Sequence, residues 1–326
     1  MGRRRAAVRT IRCHLPEARL TNEDLAAEFG DWSVEKIFEK TGIVVRGLAA
    51  ADECASDLGV AAGRKLFAAG AVRAEEIDFL IFCTQSPDYF LPSSACVMQE
   101  RLGLRTSCGA IDVNQGCSGF VYGLSLAKGL IESGTVSNVL LITGDTYSRY
   151  IGRTDRGVRT IFSDGAAATW IGAVETEMEA EAIGPFVLGT DGRGAEHLIV
   201  RGGASRTPPP ATLHMNGPEI FTFTLRQVPG LVAQLLDKAA LKLDDVDMFV
   251  FHQANRFMLE QLRKKIGIPS SKFCVNLEAY GNTVSSTIPM ALEIALARGQ
   301  VRAGQTIMVV GFGVGYSWAG SLLRLI

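Results

Sequence analysis

Residues 74–83 read AEEIDFLIFC, and residues 244–252 read DDVDMFVFH. Each is an acidic opening followed by an apolar run, and Asp78 of the first matches Asp247 of the second at an offset of 169 residues. A short apolar run without polar alternation is the pattern of a strand buried on both faces. Two further pairs agree. GLRTSCGAIDVNQGCSG from Gly103 matches GIPSSKFCVNLEAYGNT from Gly267, and ESGTVSNVLLITGD from Glu132 matches ARGQVRAGQTIMVVGF from Ala297, at offsets of 164 and 165. Three matches in one order at a nearly constant spacing mark an internal duplication.

Each copy alternates strand-like and helix-like patterns. Phe79–Cys83, Val139–Thr143, Met248–Phe251 and Thr306–Val310 are the strand-like runs. Ala61–Ala69, Val121–Glu132, Leu231–Leu241 and Thr287–Arg298 have helical apolar spacing between them. Such alternation predicts an α/β fold with parallel sheets covered by helices. Residues 1–175 and 176–326 are the expected halves, stacked about a pseudo-twofold as a five-layer α/β/α/β/α body. Residues 202–213, GGASRTPPPATL, break the symmetry and are expected to form no regular element, only an exposed loop, either near a site or a subunit contact or a solvated spacer.

Composition narrows the partners. The 326 residues are 47% hydrophobic and 21% charged, with 33 Lys and Arg against 34 Asp and Glu. A formal charge of −1 supplies no field for nucleic acid or an anionic membrane. No stretch reaches the roughly 18 consecutive apolar residues of a membrane span. Arg9 and Arg12 interrupt any signal-peptide core after the basic start, and Ala6 stands where a myristoylation signal needs Ser or Thr. The seven cysteines are widely spaced with no CxxC pair, so neither a disulfide framework nor a zinc site is expected, and a reducing cytoplasm is.

The duplication singles out three residues. His252 closes one repeated strand, while Cys117 in NQGCSG (114–119) and Asn282 in AYGNT (279–283) occupy matching places in the two copies. Ligands and catalytic groups collect where strands of α/β sheets end. Cys117 stands between Gly116 and Gly119 before a helix that runs toward Gly134, so the helix dipole is expected to lower its thiol pKa. Taken singly, Cys117 reads as a packed cysteine, His252 as a core histidine and Asn282 as a turn residue with positive φ. Together they form a nucleophile and its partners. GFGVGY (311–316) lacks the spacing of a dinucleotide loop and precedes a final strand. It offers a backbone N–H for a thioester oxygen.

DVNQGCSGF, FHQAN, EAYGNT and GFGVGYSWAGSLLRLI resemble the signature blocks of the β-ketoacyl-acyl carrier protein synthase III family, whose fold is that of the thiolases. TNEDL, EKTGI, TDRG and IFSDGAAA match in order too, so the likeness runs from about residue 8 to 326. It implies that Cys117 takes an acyl group from a thioester. His252 and Asn282 then serve decarboxylation of a malonyl thioester, and the Cys117 and Gly315 amides form an oxyanion hole. The substrates implied are acyl-CoA or acyl-ACP, with no cofactor or metal, and the partners are acyl carrier protein and a second identical subunit. Thiolases carry a second catalytic Cys near the C-terminus, which GFGVGYS lacks. Chain-elongating synthases have His in place of Asn282.

By the same resemblance Phe162, Phe221 and Arg156 are substrate-binding. Lys36 and Lys40 stand where the family has the Trp and Arg that clamp the adenine of coenzyme A. Phe257 replaces a second Arg, with Arg256 beside it. Such exchanges are not conservative and point to a different hold on coenzyme A or to another donor. Lys264 and Lys265 match a basic pair that docks the carrier protein. Leu91 aligns with a bulkier residue that reaches the partner's acyl pocket, which implies room for a longer chain. The competing expectation is an acyltransferase that moves the Cys117-bound group to an alcohol or amine in a secondary-metabolite pathway.

Overall fold

The structure is a computed structural model in which residues 3–176 and 181–325 are described. The two repeated openings become β4 (Phe79–Cys83) and β11 (Met248–Phe251). Their matched acids do the same work. Asp78 Oδ2 accepts the Ser137 and Asn138 amides at 2.9 Å each, and Asp247 Oδ2 accepts the Thr306 amide at 2.8 Å. Each acid therefore pins the start of the neighbouring strand, β6 (Asn138–Asp145) or β12 (Thr306–Gly313).

The first half also contains β1 (Arg3–His14), β2 (Arg19–Thr21), β3 (Val45–Gly47), β5 (Gly109–Val113) and β7 (Gly165–Thr176). Its helices are α1 (Asn22–Phe29), α2 (Val34–Thr41), α3 (Ala55–Ala68), α4 (Ser94–Arg101), α5 (Gly119–Glu132) and the short α6 (Arg156–Arg159). The second half adds β8 (Ile183–Thr190), β9 (Leu198–Arg201), β10 (Thr212–Met215) and β13 (Ser317–Arg324). Its helices are α7 (Gly217–Ala239), α8 (Arg256–Ile266) and α9 (Thr287–Ala297).

The sheet orders are β1-β7-β6-β4-β5 and β8-β13-β12-β11. They correspond strand for strand, except that the counterpart of β5 has shrunk to one parallel bridge between Phe249 and Phe273. The expected parallel sheets are in fact mixed. β4, β5 and β6 run parallel, as do β11 and β12, but β7 is antiparallel to β6 and β13 to β12. The cause is plainest in the second half. Only Val314–Tyr316 joins β12 to β13, and three residues can make a hairpin but not a crossover.

Alternate side chains of the central strands build separate layers. Ile81, Val139, Leu141, Val250, Ile307 and Val309 face inward onto α5 and α9, which lie between the sheets. Leu80, Phe82, Leu140 and Ile142 face outward beneath α3, while Phe249, Phe251, Met308 and Val310 lie beneath α7 and α8. This is the five-layer body. Truncating a fully buried Leu124 between the sheets costs about 2–5 kcal/mol. The Gly- and Pro-rich segment is more ordered than expected, since Thr212 and Leu213 begin β10 and pair with Arg201 and Val200 of β9. Among the described residues no helix is long and apolar enough to cross a membrane.

Candidate active site

Cys117 lies in the turn between β5 and α5, two residues before the first helical one. The end of β12 presses against it. A Cβ added to Gly313 would stand 2.9 Å from both Cβ and Sγ of Cys117, and one added to Gly116 would stand 2.5 Å from Val314 Cγ1. Only glycine permits this approach. The thiol is 4% exposed, and burial followed by the Asp145 carboxylate pushes its pKa up to about 12. The helix start therefore does not make a resting thiolate, contrary to the expectation, because desolvation and a like charge outweigh it. Backbone N–H groups of Val314 and of Cys117 itself act in the opposite direction. The second amide at the sulfur is thus that of Val314, not Gly315. With Gly313 already against Sγ, the next N–H along the chain is the one in reach.

His252 follows β11, its amide held by the Val310 carbonyl at 2.8 Å. The rest of its motif supports it. Gln253 Nε2 donates to the Phe251 and Cys274 carbonyls while its Oε1 accepts the Asn276 amide, and Asn255 caps α8 through the Met258 amide. Burial holds the imidazole down at about 3, so it is neutral near pH 7. Nδ1 lies 2.7 Å from Thr287 Oγ1, which donates its one hydrogen to the Val284 carbonyl at 3.2 Å. In the tautomer that fits Thr287 donating to Val284, Nδ1 carries the hydrogen and Nε2 keeps a free lone pair.

Asn282 is fixed by the other half of the chain. Its amide donates to the Ile161 carbonyl at 3.0 Å, and its carbonyl accepts the Ser163 amide at 2.9 Å. Asn282 Oδ1 takes the Val284 amide at 3.0 Å, which leaves Nδ2 free to donate. The left-handed backbone falls on its neighbours, Gly281 (φ 68°) and Val284 (φ 55°), not on Asn282. A β-branched residue at positive φ is strained. Here Val284 supplies the N–H that orients Asn282 and the carbonyl that orients Thr287 under His252.

Cys117, His252, Asn282, Phe312 and Gly313 line one cavity of about 300 Å³, whose apolar walls include Phe162, Phe221, Phe257 and Met258. Arg256 lies between two of its lining residues, stacked on Phe38 at 4.9 Å and paired with Glu278 at 3.0 Å. Arg156 is paired with Asp31 at 2.6 Å and stacked on Phe29. Lys36 and Lys40 sit over the Trp32 ring at 5.0 and 5.6 Å. Lys264 and Lys265 are exposed in the last turn of α8, and Lys265 shares a groove with Phe221 and Arg226. Leu91 and Gly315 are not in the Cys117 cavity. They line a second cavity of about 920 Å³ with Gln85, Tyr147 and Leu213, and Leu91 is 83% exposed.

Sequence reasoning missed Trp32, Asp145, Val284 and Thr287. Trp32 had a signal, since an aromatic stands four residues ahead of Lys36 and eight ahead of Lys40, just before the start of α2. Asp145 and Thr287 are defined by partners distant in sequence, Ser285 and His252, and Val284 by a positive φ, none of which left a local mark.

The family model for 3-oxoacyl-[acyl-carrier-protein] synthase III matches residues 111–192, and the model for its C-terminal region matches residues 236–325. β-Ketoacyl-[acyl-carrier-protein] synthase III 2 of Halalkalibacterium halodurans is 38% identical over 98% of this chain and 96% of its own. The synthase III of Caldanaerobacter subterraneus is 35% identical over 95% of each. A crystal structure of a 3-oxoacyl-(acyl-carrier-protein) synthase III superposes with a TM-score of 0.97 at 53% identity, over 98% of this chain and 100% of that one. With the duplicated fold and the Cys117, His252 and Asn282 cavity, these likenesses place the chain in the β-ketoacyl-[acyl-carrier-protein] synthase III family.

Proposed function

We propose that the protein is a condensing synthase that joins an acyl group held on Cys117 to a malonyl thioester. The observation that carries this reading is the shared cavity in which a thiol, a neutral imidazole with a free Nε2 and an amide with a free Nδ2 converge. Nε2 takes the thiol proton as Cys117 attacks the donor thioester and returns it to the departing thiolate. A resting thiolate is therefore not needed. The Cys117 and Val314 amides receive the oxyanion.

In the second half-reaction the malonyl C–C bond breaks, carbon dioxide leaves, and Asn282 Nδ2 donates to the enolate oxygen with His252 beside it. The carbanion forms a C–C bond to the acyl carbonyl, and the Cys117 thiolate departs and regains a proton from water. No cofactor enters this scheme. The alternative, transfer to an alcohol or amine, would give Asn282 no task. Cys117→Ala and wild type, exposed to a panel of acyl donors and malonyl-ACP, test the proposal by intact mass and carbon dioxide release. Acylation of Cys117 without decarboxylation sinks it.

Two finer points belong to the same reading. The donor is an acyl carrier protein thioester, because Lys36 and Lys40 cover the Trp32 face that an adenine would use, and Lys264 and Lys265 offer cations to an acidic carrier. The active form is a homodimer, because β5 is an unpaired sheet edge with Ile111 exposed, near Tyr89, Phe90 and Leu91, which are 59, 80 and 83% exposed. A partner would cover this patch, and Leu91 in place of a bulkier residue leaves room there for a chain longer than acetyl. Seven free cysteines suit the cytoplasm.

A further inference from the structure

We infer that Asp145 is a positioning residue that joins the nucleophile to the decarboxylating half of the site. It does so by holding the turn that carries Asn282 and by setting the charge beside Cys117. The assignment rests on the condensing reading above. Asp145 ends β6 in the first half and is fully buried. Its Oδ1 accepts the Gln85 amide at 2.8 Å, where β4 ends. Its Oδ2 accepts Ser285 Oγ–H at 2.6 Å and the Ser285 amide at 3.4 Å, in the second half.

Two residues earlier on the same strand, Thr143 Oγ1 lies 2.9 Å from Ser286 Oγ. Residues 143 and 145 share one face of a strand, so β6 grips the 284–286 turn at two successive positions. That turn carries the Val284 amide on Asn282 Oδ1 and the Val284 carbonyl on Thr287, which in turn meets His252. The carboxylate is thus two hydrogen-bonded steps from Asn282.

The same group also lies on the thiol's side of the fold, since Gln85, whose amide it holds, packs against Gly116 next to Cys117, where an added Cβ would collide with Gln85 Oε1. The titratable groups facing Asp145 are Cys117 before α5, Cys83 on β4, Tyr147 and Tyr150 after β6, and Asp164 before β7. None of these is a cation. A buried carboxylate without a counter-charge is costly, and burial raises Asp145 itself to about 7. Above that pH its negative charge opposes a thiolate at Cys117, and once the sulfur is a neutral thioester the opposition ends.

The test uses the full-length enzyme. Asp145→Asn keeps the shape and removes the charge, and Ser285→Ala removes one donor and keeps the charge. At pH 8, Asp145→Asn is expected to speed alkylation of Cys117 by iodoacetamide roughly three- to tenfold, the equivalent of half to one pKa unit. The ratio falls toward one at pH 5.5, where the wild-type carboxyl is already protonated. Carbon dioxide release with acyl donor and malonyl thioester is expected to fall at least roughly tenfold in Asp145→Asn and severalfold in Ser285→Ala, with alkylation of the latter unchanged. Opposite effects on alkylation and decarboxylation mark positioning. Alkylation slowed together with decarboxylation, or a pH-independent ratio, overturns the assignment. If Asp145→Asn does not fold, Ser285→Ala decides, and wild-type carbon dioxide release there overturns it. Alkylation needs no substrate, so wild type that is acylated but never decarboxylates would overturn the condensing reading through a separate measurement.

Discussion

Gly313→Ala probes the seam between the two halves at its tightest point. The added Cβ would stand 2.9 Å from both Cβ and Sγ of Cys117, whereas carbon contacts are most favourable at roughly 3.5–4.0 Å. One side must retreat by roughly 0.6–1 Å. Strand β12 is poorly placed to do so, since it pairs with β11 through Val310 and with β13 through Gly313 itself. Cys117 moves instead, away from the Val314 amide. A misplacement of about 1 Å at a reacting atom costs about 100-fold, and overpacking costs about 1–3 kcal/mol of stability. For a chain of this size that lowers Tm by roughly 1.5–4 °C. Single-turnover acylation of Cys117 followed by intact mass, beside a thermal melt, reads both. Gly129→Ala is the control, because nothing lies within 4 Å of its added Cβ on α5, and it should stabilise by about 0.5–1 kcal/mol with normal acylation. Wild-type acylation and an unshifted Tm in Gly313→Ala would refute the close approach.

The buried acid and imidazole give opposite pH dependences. His252 titrates at about 3 folded against about 6.5 unfolded, so the unfolded chain binds more protons between these values and stability is lost as pH falls. Asp145 titrates at about 7 folded against about 3.9 unfolded, so its contribution is present below pH 4 and lost as pH rises through 7. The difference between urea stabilities of Asp145→Asn and wild type should therefore grow by about 1.4 kcal/mol per pH unit between pH 4 and 7, and a constant difference would contradict the raised carboxyl. Lys264→Glu with Lys265→Glu is expected to lower kcat/KM for acyl-ACP at least roughly tenfold while acyl-CoA stays within about twofold. Equal losses with both donors would remove the docking role. Ile111→Lys with Phe90→Asp should convert a two-chain particle to one chain in sedimentation, and a wild-type monomer would discard the homodimer.

What the sequence disclosed and what it withheld divide along a physical line. The duplication was legible because a strand buried on both faces needs an uninterrupted apolar run, and because Asp78 and Asp247 each pin a neighbouring strand by the same short-range bonds. Helix C-termini were legible to within two residues, as with Thr287–Ala297 against an expected Thr287–Arg298, but two of the helix starts were not, since α3 begins at Ala55 rather than Ala61 and α7 at Gly217 rather than Leu231. Strand direction was not, since it depends on connection geometry rather than on apolar pattern. At the site, the meeting of Cys117, His252 and Asn282 in one cavity was readable from motif and symmetry, but their protonation states were not. The helix-start argument for a low thiol pKa is sound in isolation. It fails here because Asp145, 28 residues further along, and a closed apolar wall lie beside the same sulfur. That failure changes the chemistry. With the thiol high and the imidazole low, the proton rests on sulfur and Nε2 is vacant, and under the proposed condensing function one imidazole takes that proton as the acyl group arrives. Under the same proposal Asn282, with Oδ1 already committed to Val284, is the donor to the enolate.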